Sequence, residues 1–308
     1  MRKVFNETLI KIAKDDPRIF MVLADIGYGE VEPFAQLFPE RYYNCGVAEQ
    51  NMTGVACGLA MEGNIVVTYS IANFPTLRCL EQIRNDVCYQ NQNVKIVVIG
   101  GGLAYGCLGV SHHSTEDIAI MRALPNLVVC APCDTIEAEA ATYAMIEHQG
   151  PFYYRCGYKG EKDLYDGPID FQIGRANTVL EGKDATVIFT GTVGYNAKLA
   201  VERLREEGIH CRLVSMHTIK PIDKQAVVEA ARDTGVIIVV EEHNLSGGLG
   251  SAVAETLVDE GITNVRVKRL GIPDIYVGYV ATHPTLLDKY GLSVNKLYEA
   301  FKEFIVMG

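Results

Sequence analysis

The sequence predicts an α/β fold of two domains, each a mostly parallel sheet with helices on both faces. Short apolar runs alternate along the chain with segments of helical period, the signature of strands joined by crossover helices. The runs are apolar at nearly every position, as in strands covered on both faces, and do not alternate as half-exposed strands do. At 308 residues the chain has about two domains' worth of length and can bury a core without disulfide or metal staples.

Each element follows from its pattern. A first helix over residues 3–14 places Phe5, Leu9 and Ile12 on one face and stops at Asp15-Asp16-Pro17. RIFMVLAD (18–25) is the first strand. Residues 48–61 carry Met52, Val55, Ala56, Leu59 and Ala60 at helical spacing, and IVVTYS (65–70) returns as a strand. A further helix carries Leu80, Ile83 and Val87. VKIVVIGG (94–101), LVVCAP (127–132) and FYYR (152–155) are strands, the last two separated by a helix over 135–148. A stretch rich in Gly, Pro and charge then breaks the rhythm, which divides the chain into a domain at 1–160, a linker at 161–182 and a second domain at 183–308. In the second, DATVIFTG (184–191), CRLVSMH (211–217), VIIVVEEH (236–243) and VRVKRLG (265–271) alternate with helices through Lys198 and Arg205, over 224–232 and from Gly250.

Charge and cysteine usage exclude several functions. Lys and Arg number 28 against 38 Asp and Glu, a net charge of −10, which argues against nucleic-acid and anionic-membrane partners. Nine cysteines scattered through apolar segments suit a reducing compartment better than a disulfide framework. The start MRKVFNETLIKIAKDD lacks the apolar core of a signal peptide, and no run reaches the length of a membrane span. A cytoplasmic protein is expected.

Several segments carry groups suited to chemistry. Gly100, Gly102 and Gly106 follow a strand, but their spacing is not that of a dinucleotide fingerprint, and a permissive loop accounts for them. Cys130 and Cys133 have C-x-x-C spacing without the second pair that a tetrahedral zinc site needs, so they read as structural. SGGLG (246–250) precedes a helix; its amides are free either to face an anion or to pack tightly against the strand before it. His112-His113 lies in a polar loop just before a helix that Ser114 or Thr115 would cap. Glu49 opens a helix apolar on nearly every side. Such a carboxyl either interacts with the helix dipole or, buried and with a raised pKa, shares a proton with a ring nitrogen.

Taken together, GVAEQNM, NFPTLRCLEQIRNDV, SHHSTEDIAIMRALPNL, TIKPID and EEHNLSGGLG resemble the transketolase family of thiamine diphosphate enzymes, in its order and over nearly the whole chain. The parts resembled are the pyrimidine-binding and carboxy-terminal domains. The resemblance implies that Glu49 bonds the ring nitrogen of the cofactor's aminopyrimidine and that Phe74 stacks on that ring. It implies Asp25, Ile71 and Arg78 as further cofactor contacts, with Ile71 and Leu77 where transketolases often carry aromatics. On the substrate side it implies His112, which would handle donor hydroxyl protons, together with His113 and an Arg2 gripping an anionic end. Departures stand beside these matches. Leu108 replaces an aspartate that reads a sugar hydroxyl, Gly100 replaces a histidine, Gly29 lies near an expected serine, and Tyr158 near a phosphate-binding arginine. A non-standard ketose or aldehyde substrate is expected.

The diphosphate and Mg²⁺ of the family are held by an amino-terminal domain bearing a Gly-Asp-Gly motif, and no such motif occurs here. The resemblance therefore implies one subunit of a split transketolase, completed by a separate GDG-bearing subunit in an α₂β₂ assembly, transferring a two-carbon ketol unit between a ketose and an aldose. Two alternatives remain open: the β subunit of a 2-oxoacid dehydrogenase, to whose form HHSTEDIAIMRALPNL is less close, and a non-catalytic regulatory subunit. No catalytic group is expected in the carboxy-terminal unit, where His217, His243 and His283 follow strand ends as structural histidines.

Overall fold

The apolar runs fold into two sheets in a computed structural model that describes residues 1–158 and 160–306. The amino-terminal part forms α1 (Arg2–Asp15), β1 (Ile19–Leu23), α2 (Glu32–Leu37), β2 (Tyr42–Asn44), α3 (Glu49–Met61), β3 (Ile65–Ile71) and α4 (Asn73–Arg78). It continues through α5 (Leu80–Gln82), extended by a π-helical turn at Ile83–Cys88, then β4 (Val94–Ile99), α6 (Asp117–Arg122), β5 (Val128–Cys130), α7 (Thr135–Glu147) and β6 (Phe152–Cys156). The remainder forms β7 (Asn177–Leu180), β8 (Ala185–Thr190), α8 (Gly194–Glu206), β9 (Cys211–Ser215), β10 (Thr218–Lys220), α9 (Lys224–Thr234), β11 (Val236–Asn244), α10 (Leu249–Asp259), β12 (Arg266–Ile272), α11 (His283–Lys289) and α12 (Val294–Val306).

One sheet has seven strands in the order β10-β5-β6-β4-β3-β1-β2, the other five in the order β12-β11-β8-β9-β7. All pairings are parallel except those of β10 with β5 and β7 with β9. Every residue of β3 and β4 is buried, as their predominantly apolar runs lead one to expect. The expected linker is shorter than the sequence suggests, because Asn177–Leu180 pairs with β9 as an edge strand. The expectation also confined residues after 183 to the second domain, whereas β10 adds itself to the first sheet, where Thr218 lies opposite Cys130. Helices α11 and α12 go beyond the expected elements. The apolar side of α12 places Leu297 and Phe301 against Val201 and Leu204 of α8, and each such fully buried side chain contributes about 1.5–3 kcal/mol.

Apolar and polar contacts join the two parts. Ile118 and Met121 of α6 share one core with Ile188, Val214 and Val253. Asp134 caps α7 by accepting from the Glu137 amide at 2.7 Å, and its other oxygen accepts from the Leu164 amide at 2.7 Å. Glu137, fully buried, accepts from the Cys133 amide, the Tyr165 hydroxyl and Ser215 Oγ of β9. Burial pushes its carboxyl up to about 7.

Lys95 of β4 is also fully buried, and its Nζ donates to the carbonyls of His148 and Gly150 at 2.6 and 2.8 Å. Burial pulls its ammonium down to about 7 from an ordinary 10.5. Between those values the folded chain holds fewer protons at this site than the unfolded one, so its contribution to stability grows as pH rises through that window. Urea unfolding of wild type and Lys95→Met at pH 7 and pH 9 is the check. The wild type is expected to gain stability on Lys95→Met with rising pH, and parallel trends would refute the assignment.

Candidate functional site

The segments that leave the carboxyl ends of β1, β3 and β4 carry the expected site residues, and the crevice beyond such strand ends is where parallel α/β sheets hold ligands. Beyond β1 the chain turns through Asp25 in the left-handed region, at φ 53°. Asn44 at the end of β2 fixes the turn, its Oδ1 accepting from the Asp25 amide at 3.0 Å and its Nδ2 donating to Asp25 Oδ1 at 3.1 Å. Asn44 Oδ1 also accepts from the Gly46 amide, which aims the chain into α3. The Tyr28 hydroxyl donates to Asp25 Oδ1 as well.

Glu49 is the first residue of α3 and is 6% exposed. Its Oε1 accepts from Arg78 Nη1 at 2.8 Å. The helix it opens is apolar on nearly every side, yet Glu49 has a cationic neighbour, and the cause is local. Phe74 and Arg78 are four apart in α4, so both lie on one helix face, and the guanidinium sits 4.2 Å over the Phe74 ring. Phe74 in turn meets His112 edge-on, with ring centroids 5.2 Å apart. Ile71 ends β3 as a buried residue, while Leu77 is exposed. His112 Nδ1 lies 3.0 Å from Ser111 Oγ. Burial and then the Arg78 charge lower the pKa of its imidazole, which favours the neutral ring able to take up a proton.

Arg2 stands at a remove. Its Nη2 donates to Glu30 Oε1 at 2.7 Å, and its guanidinium lies 5.2 Å over the Tyr158 ring. Tyr158 packs 4.4 Å from Tyr105, which lies 6.0 Å from His112, so a line of rings leads from Arg2 to the histidine. Glu30 and Tyr105 were not anticipated. His113, expected on the substrate side, is buried and lines a cavity of about 340 Å³ with Asn73, Thr115 and Tyr276. The two histidines are adjacent in a tight turn, and their side chains diverge.

The departures have structural causes. Gly100 has φ +75°, and a Cβ there would collide with the Tyr105 ring, so the tyrosine occupies the space into which a larger residue would project. Leu108 and Tyr158 both line an interdomain cavity of about 990 Å³, whose polar groups include Lys162, Asn196 and His283. The start of α10 is closed to anions, because the Leu249 and Gly250 amides donate to the carboxylate of Glu241 at 2.7 and 2.8 Å. Cys130 and Cys133 are buried and free, and burial drives both thiols upward. The expected cap of α6 does not form: Glu116 accepts from the Thr115 amide and hydroxyl instead. His217 stacks on Phe171, while His243 donates to the Asn244 carbonyl and accepts from the Ala119 amide. Among the described residues no group of three or more His, Cys, Asp or Glu is placed to hold a metal ion, and no helix is long and apolar enough to cross a membrane.

Residues 1–157 match the pyrimidine-binding domain of transketolase and residues 174–297 the transketolase C-terminal domain. Fold and crevice thus define a two-domain α/β protein of the pyrimidine-binding class. The chain is 38% identical over 306 residues to a subunit of the apulose-4-phosphate transketolase of Phocaeicola vulgatus, covering 99% of this chain and 97% of that one. It is 40% identical to a putative transketolase C-terminal section of Methanocaldococcus jannaschii, with 98% and 95% covered. A solved split-gene transketolase, described as an inactive β4 tetramer, superposes with a TM-score of 0.91 at 38% identity, covering 99% of this chain and 97% of that one. The chain belongs to the transketolase family and carries its pyrimidine-binding and carboxy-terminal domains in one polypeptide.

Proposed function

We propose that this chain is a subunit of a split, thiamine diphosphate-dependent transketolase. With a separate GDG-bearing amino-terminal subunit that holds the diphosphate and Mg²⁺, it moves a two-carbon ketol unit from a ketose donor to an aldose or aldehyde acceptor in an α₂β₂ assembly. The observation that carries this reading is the side-by-side placement of Glu49, Arg78, Phe74 and His112 at the strand ends. When bound, the cofactor supplies the electron sink for breaking a carbon–carbon bond.

The residues present fit the aminopyrimidine. Arg78 is half exposed, so it is free to leave the Phe74 face and yield that face to the heterocycle. Glu49, a buried residue, would then hold a proton against a ring nitrogen, and Ile71 and Asp25 are the further cofactor contacts of this reading. His112, neutral and edge-on to Phe74, takes and returns the proton of a donor hydroxyl. Arg2 receives the far, anionic end of the sugar on exchanging its bond to Glu30. Relatives named for apulose 4-phosphate and, at 35% identity in a Clostridium species, for 6-deoxy-6-sulfo-D-fructose support an anionic sugar outside the standard pentose phosphates.

Exposed apolar side chains support a partner. Tyr28, Val47 and Tyr276 are 75%, 76% and 79% exposed, and Leu77, Val110 and Tyr276 border the cavity that His113 lines; exposed apolar surface of this kind marks protein interfaces. The purified chain with thiamine diphosphate and Mg²⁺ is expected to show no ketol transfer until the GDG-bearing subunit is added. Turnover by the chain alone would refute the split, and pyruvate decarboxylation by the pair would favour a 2-oxoacid dehydrogenase.

A further inference from the structure

The loop that carries His112 is held from the carboxy-terminal half of the chain. Residues 102–114 form a closed excursion whose feet are joined by two backbone bonds of 2.9 Å, from the Gly102 amide to the Ser114 carbonyl and the reverse. The end of β11 grips both feet. Glu242 Oε1 accepts from the Leu103 amide at 2.6 Å, and the Asn244 amide donates to the Thr115 carbonyl at 2.7 Å. Between them Arg155 Nη2 donates to the carbonyls of Ser114 and Glu242 at 3.0 and 3.1 Å. Glu242 Oε1 also receives His283 Nε2 at 2.9 Å, from the first residue of α11. The fit leaves no slack. Gly102 has φ +68°, and a Cβ there would lie 2.5 Å from Glu242 Oε1. At the far side of the loop Cys107 Sγ donates to the Ala281 carbonyl at 3.4 Å.

We infer that Glu242 and His283 are positioning residues for His112, so that the carboxy-terminal domain sets the geometry of the reaction it does not itself touch. The inference rests on the ketol-transfer reading of the crevice. A stabilising contact between domains has no need to converge on one catalytic loop. Here the carboxylate and the strand end behind it meet that loop at both feet, and Glu242 is 3% exposed. The pair is ionic. Burial works against the charge on Glu242, but His283 and the Leu103 amide hold its carboxyl below the ordinary value. Burial likewise works against the charged His283 ring, and Glu242, with a smaller push from Glu161, raises its pKa nonetheless.

The test is a double-mutant cycle in the complex with the amino-terminal subunit, combining Glu242→Ala with His112→Ala. Glu242→Ala is expected to lower kcat about tenfold per folded molecule, as a displaced catalytic group does, while thiamine diphosphate affinity stays at the wild-type value. In the His112→Ala background it is expected to lower kcat no further. Glu242→Gln, whose amide oxygen still accepts from Leu103, is expected to recover most of the rate. Fully additive losses, or wild-type kcat in Glu242→Ala, would overturn the inference alone. A His112→Ala chain with wild-type turnover would overturn the reading of the site and the inference with it. Should Glu242→Ala not fold, His283→Ala, whose side chain is part-exposed, runs the same cycle with the same criteria.

Discussion

Glu49→Ala, assayed with the amino-terminal subunit and saturating thiamine diphosphate and Mg²⁺, is expected to slow ketol transfer by about 10²-fold or more, the scale of a lost acid/base group. Glu49→Gln should fare little better, because an amide keeps the shape and the hydrogen bond but cannot hand over a proton. Stability gives the control. The Glu49–Arg78 pair has one partner buried and the other half exposed, and on its loss Arg78 is free to turn to water, so the variant should unfold close to wild type. A slow but normally stable enzyme places Glu49 in the chemistry. Near-normal rates would remove it from the mechanism, and a large fall in the unfolding midpoint would make the rate loss uninterpretable as chemistry.

The second large effect is on stability. Asp117 opens α6 with 2% exposure, and its Oδ2 accepts from Arg155 Nε at 2.7 Å and from the Tyr153 hydroxyl at 2.8 Å. Arg155 is equally enclosed, with 6% of its side chain accessible. Truncation in Asp117→Ala strands the guanidinium, with the carbonyls of Ser114 and Glu242 as its remaining partners, and leaves the tyrosine hydroxyl with Thr76 alone. Breaking a buried pair in this way costs about 3–5 kcal/mol, which denaturant unfolding would read directly. A loss under about 1 kcal/mol would show that water or a shifted side chain relieves the charge. Because Arg155 also holds the foot of the His112 loop, the folded fraction of this variant should be slow as well.

How much of this was legible in the sequence depended on burial. The central strands β1, β3, β4, β6, β8, β9 and β11 announce themselves because both faces are covered and most of their residues are apolar. Edge strands carry no such constraint. β2, β7 and β10 are three or four residues long, partly exposed or paired across domain lines, and a short run such as NTVL inside a polar stretch has no period to detect. The site divides in the same way. Glu49 reaches Phe74 and His112 only through Arg78, and the Arg78 contact is written in the four-residue spacing of Phe-Pro-Thr-Leu-Arg. The divergence of His112 from His113 depends on one turn. The exchange of bulk between Gly100 and Tyr105 depends on which atoms meet in space, as does the grip of Glu242 on a loop 139 residues before it, and none of these leaves a local mark.

The strand that β10 lends to the first sheet has a further consequence. The unit that can close its own hydrogen bonds is not the stretch up to residue 157 but one that reaches past Lys220, through the first strands of the second sheet. A fragment cut between the two sheets would carry β5 with a bare edge, open to any other extended chain. The two halves are therefore joined as a woven fabric is, and recombination or truncation at the intervening segment would open the amino-terminal sheet at β5.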